Sequence, residues 1–282
     1  LIRAKKSLGQ NFLVDRRVAS RIVEAVAPKP SDAVIEIGAG TGALTRRLVA
    51  ESGYVVAVEI DRALSEGLRA SVKSDNFALI EMDALEMDWK GLAATALGEL
   101  ENRTTPGHLA ERTAQRRVRV VANLPYYIST AIIERLLYAR AEFSDLTLML
   151  QEEVVDRITS PPGERDYGYL SILIQYHAEA FKLFMVAPEA FNPVPKVRSA
   201  VVRLIVRERP LVEIRDEKRF FSLVRASFSQ RRKTILNNLK SASLEFHSTP
   251  ERALEMSAID SRRRAETLSL EEFAKLFSAL ET

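Results

Sequence analysis

Apolar positions recur at two different periods along this chain, and the switches between them mark out its elements. From Asp15 to Val26 the residues Val18, Ile22, Val23 and Val26 fall at helical spacing, and Pro28 and Pro30 then stop the helix. Val34-Ile35-Glu36-Ile37 is a short buried strand that runs into Gly38-Ala39-Gly40-Thr41-Gly42. Helical spacing returns with Leu44, Leu48 and Val49. A second strand, Tyr54 to Val58, ends at Glu59; a helix from Ala63 to Val72 follows, and a third strand from Phe77 to Ile80 ends at Asp83. Arg117 to Ala122 and Leu146 to Leu150 read as the fourth and fifth strands, the fourth leading into Asn123-Leu124-Pro125-Tyr126. Strands that alternate with helices imply a parallel sheet covered on both faces.

The pattern changes further on. Phe181 to Val186 and Ala200 to Val206 are two strands joined by a loop with Pro188, Pro193 and Pro195, which suits a hairpin on the sheet edge. After Pro210 the strand period disappears. Phe220, Leu223, Val224 and Phe228 mark an amphipathic helix, Thr249-Pro250 resembles an N-cap with proline in first position, and Ser269 with Glu272 forms a capping box ahead of Phe273, Leu276 and Phe277. The expectation is an α/β chain: a Rossmann-like sheet domain over residues 1–207 and a small all-helical domain over 208–282. The polar stretch from Gly98 to Arg116, with Pro106-Gly107 inside it, reads as a surface insertion with some helix.

Composition narrows the chemistry. A chain of 282 residues that is 46% hydrophobic can bury one large core and a small second one. It has no cysteine, so disulfides, thiolate catalysis and cysteine zinc sites are excluded. His108, His177 and His247 stand far apart, and no metal site is expected. No apolar run approaches the roughly 20 residues needed to span a bilayer, and no signal peptide precedes the fold, so a cytoplasmic protein without a membrane partner is expected. The net charge is only +3, yet bases far outnumber acids between Lys196 and Lys240. Lys196, Arg231, Arg232 and Lys233 are the candidates there for a phosphate backbone. On composition alone, a solvated helix face remains open.

Glycines between a strand and a helix let a ligand approach the backbone closely. Gly38-x-Gly40-x-x-Ala43 followed by Glu59 fits the loose dinucleotide pattern, so the loop by itself leaves a nicotinamide enzyme open, and also a turn without function. Three acids tilt the reading toward S-adenosylmethionine. Glu36 beneath Gly38, Gly40 and Gly42 suits a cationic ligand, Glu59 can hold both ribose hydroxyls, and Asp83 can accept from the adenine amine of the cofactor. Alone, Asp83 would read as a turn or helix cap.

Asn123-Leu124-Pro125-Tyr126 carries the second half of the chemistry. The exocyclic amine of adenine is a poor nucleophile because its lone pair is delocalised into the ring. The Asn123 side-chain oxygen and the Leu124 carbonyl can accept its two hydrogens and favour a pyramidal nitrogen, while Pro125 fixes the turn. Tyr126 would stack on the flipped base, and such stacking is worth roughly 1–3 kcal/mol. A turn with a packed tyrosine is the plainer alternative.

Together these segments resemble the bacterial KsgA-type rRNA adenine dimethyltransferases over nearly the whole chain. The resemblance is carried by Lys6-Ser7-Leu8-Gly9-Gln10-Asn11-Phe12-Leu13, Glu36 to Gly42, Asp83-Ala84-Leu85, Asn123 to Tyr126, and Leu150-Gln151-Glu152-Glu153-Val154. Tyr167 to Ser171, Phe191-Asn192-Pro193-Val194-Pro195-Lys196-Val197 and Ser229-Gln230-Arg231-Arg232-Lys233-Thr234 complete it. It implies a class I S-adenosylmethionine-dependent methyltransferase sheet with a helical rRNA-binding domain. It also implies dimethylation of N6 on two adjacent adenosines in a 3′-terminal hairpin loop of 16S rRNA, by a monomer acting on a small-subunit precursor particle. Cofactor contacts carried over from the family fall on Gln10, Asn11, Leu13, Gly38, Glu59, Asp83 and Asn123. Phe191 becomes a second aromatic wall for the target base, with a packed loop anchor as its alternative. The sequence departs from the family pattern at Val194, where a second proline is usual, at Arg198, where an aspartate is usual, and in the long 98–116 stretch. Rival readings are a resistance-type 23S rRNA adenine methyltransferase, a non-enzymatic RNA-binding assembly factor on the same fold and, more distantly, a nicotinamide dehydrogenase.

Overall fold

The computed structural model describes residues 4–5, 8–103, 118–242 and 244–282. Lys6, Ser7, His108, Arg117 and most of the 98–116 insertion therefore lie outside the described residues. The chain divides into two compact units, residues 1–155 with 181–206, and residues 156–180 with 207–282. The sequence boundary at 207/208 put 156–180 in the first unit; by compactness that segment belongs with the C-terminal helices.

The first unit is built on a seven-stranded sheet. Its strands are β2 (Ala33–Ile37), β3 (Tyr54–Glu59), β4 (Phe77–Glu81), β5 (Val118–Asn123), β6 (Phe143–Gln151), β7 (Ala178–Val186) and β9 (Ser199–Val206), in the order β4-β3-β2-β5-β6-β9-β7. The pairs among β2 to β6 are parallel, and β9 runs antiparallel to β6. Every residue of β2 and β3 is buried, which is why both read as unbroken apolar runs rather than alternating ones. The chain leaves β2 toward β3 and β4, then returns to its other side as β5. That reversal makes the carboxyl ends of β2 and β5 a switch point, where open parallel sheets bind ligands.

Local chemistry sets the helix ends. Asp15 caps α1 (Arg16–Val26) by accepting from the amides of Arg17 and Val18. At the other end Ala27 turns left-handed at φ 48°, and Pro28 follows. The residue before a proline is disfavoured in the right-handed helical region, so the stop is local. Ile22, Val23 and Val26 of α1 join Val34, Val121 and Met149 of the sheet in one core cluster. Among the described residues this unit also holds α2 (Thr45–Glu51), α3 (Arg62–Ser71), α4 (Trp89–Asn102) and α5 (Ser129–Tyr138).

One pairing escaped the sequence reading. Phe12-Leu13 forms a short strand, β1, antiparallel to β8 (Phe191-Asn192), with Leu13 opposite Phe191. It ties the start of the chain to the proline-containing loop.

The second unit contains α7 (Tyr169–His177), α8 (Glu217–Ser227), α9 (Ile235–Lys240), α10 (Pro250–Met256) and α11 (Leu270–Leu280); α6 (Glu152–Thr159) leads into it from the first unit. Its core is aromatic: Phe221 packs edge-on to Tyr176 and Phe220, at centroid distances of 5.3 and 5.2 Å. The buried Tyr167 hydroxyl donates to the Leu268 carbonyl at 3.0 Å. Thr249 caps α10 through the Arg252 amide, and the Ser269–Glu272 capping box closes on α11. Among the described residues no helix is long and apolar enough to cross a membrane.

Candidate active site

Four adjacent strands deliver the chemistry to one place. Glu36 lies one residue before the end of β2, Glu59 ends β3, Asp83 follows β4 and Asn123 ends β5. A single pocket is lined by all four, by Gly38 and Gly40, by Leu124, Pro125 and Tyr126, and by the segment Leu8–Leu13. The structure thus brings Gln10, Asn11 and Leu13 to the same pocket as the glycine loop.

The glycines are required for different reasons. Gly38 and Gly40 adopt φ of 72° and 57°, and a Cβ on either would meet its nearest neighbour only at 3.5 Å, so conformation is their constraint. Gly42, at φ 81°, also lacks space: a Cβ there would lie 2.8 Å from a Leu68 methyl group. The Gly40 amide donates to Glu59 Oε2 at 2.8 Å, and the Asp61 amide donates to Oε1 at 2.9 Å. Glu59 is thereby fixed, and each of its oxygens keeps a lone pair for a ribose hydroxyl. Burial raises the Glu59 carboxyl above the usual range against the pull of these amides.

Glu36 is 2% exposed, and its Oε2 has no hydrogen-bond partner. Burial pushes this carboxyl up to about 8; Thr45 opposes the rise and the nearby Glu59 adds to it. In the ligand-free protein this carboxyl therefore keeps its proton near neutrality. An unpartnered buried oxygen beneath a glycine cradle fits a ligand that brings a cation or its own donor, as S-adenosylmethionine does.

Asp83 makes the turn that its plainer reading foresaw, with Oδ1 accepting from the Leu85 amide at 2.8 Å. A carboxylate has a second oxygen, and Asp83 still lines the pocket. The Asn123 amide nitrogen donates to the Asn11 carbonyl at 3.3 Å, which occupies the donor end of the side chain and leaves its oxygen as the acceptor. The Leu124 amide is engaged by the Met149 carbonyl at 3.2 Å. Tyr126 is half-buried and held at its tip, its hydroxyl 2.9 Å from Ser199 Oγ; burial raises its pKa. The next residue, Tyr127, is exposed and lies against Gly9.

Phe191 departs from the expectation. Its ring is 2% exposed and sits in the core cluster with Leu13, Val121 and Met149, outside the pocket lining. Pairing of β8 with β1 draws it inward, where burying an aromatic side chain gains roughly 1.5–3 kcal/mol. The packed-anchor alternative describes its place. Lys196 is exposed in the same loop of the first unit. Arg198, the departure from the family's aspartate, forms a two-pronged pair with Glu152 at 2.9 and 3.1 Å.

The basic cluster of the second unit divides. Arg231 donates through one guanidinium nitrogen to the carbonyls of Arg165 and Tyr167, and lies 3.9 Å from Glu266. It braces its own unit. Arg232 and Lys233 are exposed. Sequence reasoning also missed the role of Asp61, which accepts from both Lys5 and Gln10. Its only signal was an aspartate ahead of a helix.

The ribosomal RNA adenine dimethylase family matches residues 2–282. Ribosomal RNA small subunit methyltransferase A of Moorella thermoacetica is 45% identical over 98% of this chain and 92% of its own length. The protein of that name from Clostridium acetobutylicum is 43% identical over 97% of this chain and 92% of its own. Among solved structures, a dimethyladenosine transferase from Plasmodium falciparum aligns with a TM-score of 0.73 at 25% identity, over 94% of this chain and 95% of that one. The 23S rRNA methyltransferase ErmE aligns with a TM-score of 0.66 at 27% identity, over 96% of this chain and all of its own. Likeness that runs from end to end in both sequence and structure goes beyond a shared sheet: the chain belongs to the ribosomal RNA adenine dimethylase family, enzymes of the class I methyltransferase fold that use S-adenosylmethionine.

Proposed function

We propose that this enzyme dimethylates N6 of two adjacent adenosines in a 3′-terminal hairpin loop of 16S rRNA, acting as a cytoplasmic monomer on a small-subunit precursor particle. The observation that carries the reading is the convergence of Glu36, Glu59 and Asp83 with Asn123-Leu124-Pro125-Tyr126 around one pocket. The 45% identity to a small-subunit enzyme supports 16S rRNA as the substrate.

S-adenosylmethionine, when bound, supplies a methyl group on a sulfonium, already an excellent leaving group. The protein's own task is positioning, which can replace a strong catalytic base. Glu59 takes the ribose hydroxyls, Asp83 the cofactor adenine amine, and Glu36 the positive charge. Asn123 Oδ1 and the Leu124 carbonyl accept the hydrogens of the target amine, and the Tyr126 ring stacks on the extruded base. The methylated nitrogen is cationic and loses its proton to water.

The test is mass mapping of methyl groups after incubation of undermethylated small-subunit particles, and separately of 23S rRNA, with labelled cofactor. Two neighbouring dimethyladenosines near the 16S 3′ end are expected. Label confined to 23S rRNA, or none on either RNA, overturns the proposal.

A further inference from the structure

Asp61 does not line the pocket, yet several parts of the site's wall meet on its carboxylate. The carboxylate is 2% exposed. Its Oδ1 accepts from Lys5 Nζ at 2.9 Å and from the Ala63 amide at 3.0 Å, and its Oδ2 accepts from Gln10 Nε2 at 3.0 Å. Gln10 Oε1 in turn accepts from the Lys5 amide at 2.8 Å, and the Asp61 amide donates to the ribose acid Glu59. One residue therefore joins the ribose acid through its amide, and the first turn of α3 and the residues that begin the pocket's outer wall through its carboxylate.

That wall is the segment Leu8–Leu13, and its two ends are fastened differently. At Leu13 it is held by strand pairing with Phe191 and by burial in the core. At Gln10 it is held by the Asp61 cluster, whose Lys5 side chain is 52% exposed. Water and salt reach that ion pair, so its net worth is small and it can open while the other end stays. Between the ends, the segment touches the catalytic turn twice, at Asn11 with Asn123 and at Gly9 with Tyr127. The need for an opening follows from stoichiometry. Each cofactor delivers one methyl group, so a second transfer to the same nitrogen requires the spent cofactor to be replaced.

We infer that Asp61 is a positioning residue that latches the Leu8–Leu13 strap over the bound cofactor through Lys5 and Gln10, and that opening of this latch sets the rate of cofactor exchange. This rests on the pocket's use of S-adenosylmethionine and not on which RNA is methylated. Burial alone would raise the Asp61 carboxyl, but the bonds from Lys5, Gln10 and the Ala63 amide, with the Lys5 charge, together outweigh it and hold it below the usual carboxylate range. The latch therefore stays charged through neutral and mildly acidic solution.

Dissociation of radiolabelled S-adenosylhomocysteine, chased with unlabelled compound in the absence of RNA, tests the latch directly. Lys5→Met should raise the dissociation rate about two- to fivefold at low salt. The wild-type rate should climb toward the variant's as salt approaches about 1 M, where screening extends over only about 3 Å. Asp61→Asn should act in the same direction, and the Lys5→Met/Asp61→Asn double variant should dissociate no faster than the faster single one. A purely structural contact would not confer this salt response. Equal rates for wild type and Lys5→Met, a wild-type rate indifferent to salt, or additive effects in the double variant each overturn the latch. None of these outcomes depends on where rRNA is methylated, so the RNA reading stands or falls separately.

Discussion

The hydroxyl of Tyr126 lies 2.9 Å from that of Ser199, so the ring assigned to stack on the target base is anchored at its tip by the first residue of β9. Tyr126→Ala removes the stacking surface and should lower kcat/KM on rRNA by about 1–3 kcal/mol of transition-state stabilisation. Tyr126→Phe keeps the ring but loses its anchor, and leaves the buried Ser199 hydroxyl without this partner. A several-fold loss is expected, matched by Ser199→Ala. Because removing both partners of a buried pair can be nearly neutral, the Tyr126→Phe/Ser199→Ala double variant should be no worse than either single one. Steady-state kinetics on rRNA checks the series.

Glu59→Ala should weaken cofactor binding by roughly 1.5–3 kcal/mol, the value of a hydrogen bond to a charged group. The same change frees the amides of Gly40 and Asp61, so the ligand-free protein should also melt earlier. Titration calorimetry and thermal melts read the two effects separately. Unchanged affinity would remove Glu59 from the ribose site.

Glu36 should make cofactor binding release a proton. Its carboxyl is raised to about 8, so the folded, ligand-free protein holds a proton there that the unfolded chain has lost above its ordinary value of 4.5. Stability of the free protein should therefore fall as pH rises from about 4.5 toward 8. A bound cation favours the anion, so binding near pH 7 should expel the proton. Calorimetry in buffers of different ionisation enthalpy should detect the release in wild type and find it absent in Glu36→Gln.

Arg232→Ala/Lys233→Ala should flatten the plot of log affinity for rRNA against log salt by about one to two units, since each phosphate contact contributes roughly 0.7–0.9. Arg231→Ala should leave that slope alone and lower the melting temperature, because its guanidinium is bonded to the carbonyls of Arg165 and Tyr167. Parallel lines for the double variant would take Arg232 and Lys233 out of the RNA interface.

What could be read from the sequence was whatever depends on near neighbours. The runs in β2 and β3, the acids at strand ends, and the caps at Thr249 and Ser269 are all set within a few residues of chain. α7 was not legible because Leu170, Ile172, Leu173, Ile174, Tyr176 and His177 are all buried, so no polar face marks a period. Phe191 could not be placed, since an aromatic facing a site and one facing a core look alike in a proline-containing loop. The Lys5–Asp61 bond links residues 56 positions apart, and no local spacing announces it. Arg231 and Arg232 are adjacent in sequence, and only their surroundings separate a brace from an exposed cation.

The pairing of Phe12-Leu13 with Phe191-Asn192 has a consequence for the newborn chain. The pocket's outer wall is made long before the strand it docks on, which emerges only after most of the first unit. Contacts so distant along the chain form late, because the entropy of closing a long loop must be overcome first. The glycine cradle and its acids can assemble while translation continues, but the wall has nothing to pair with until residue 192 is free. A ribosome building this enzyme therefore holds an open, unfinished active site until that strand emerges.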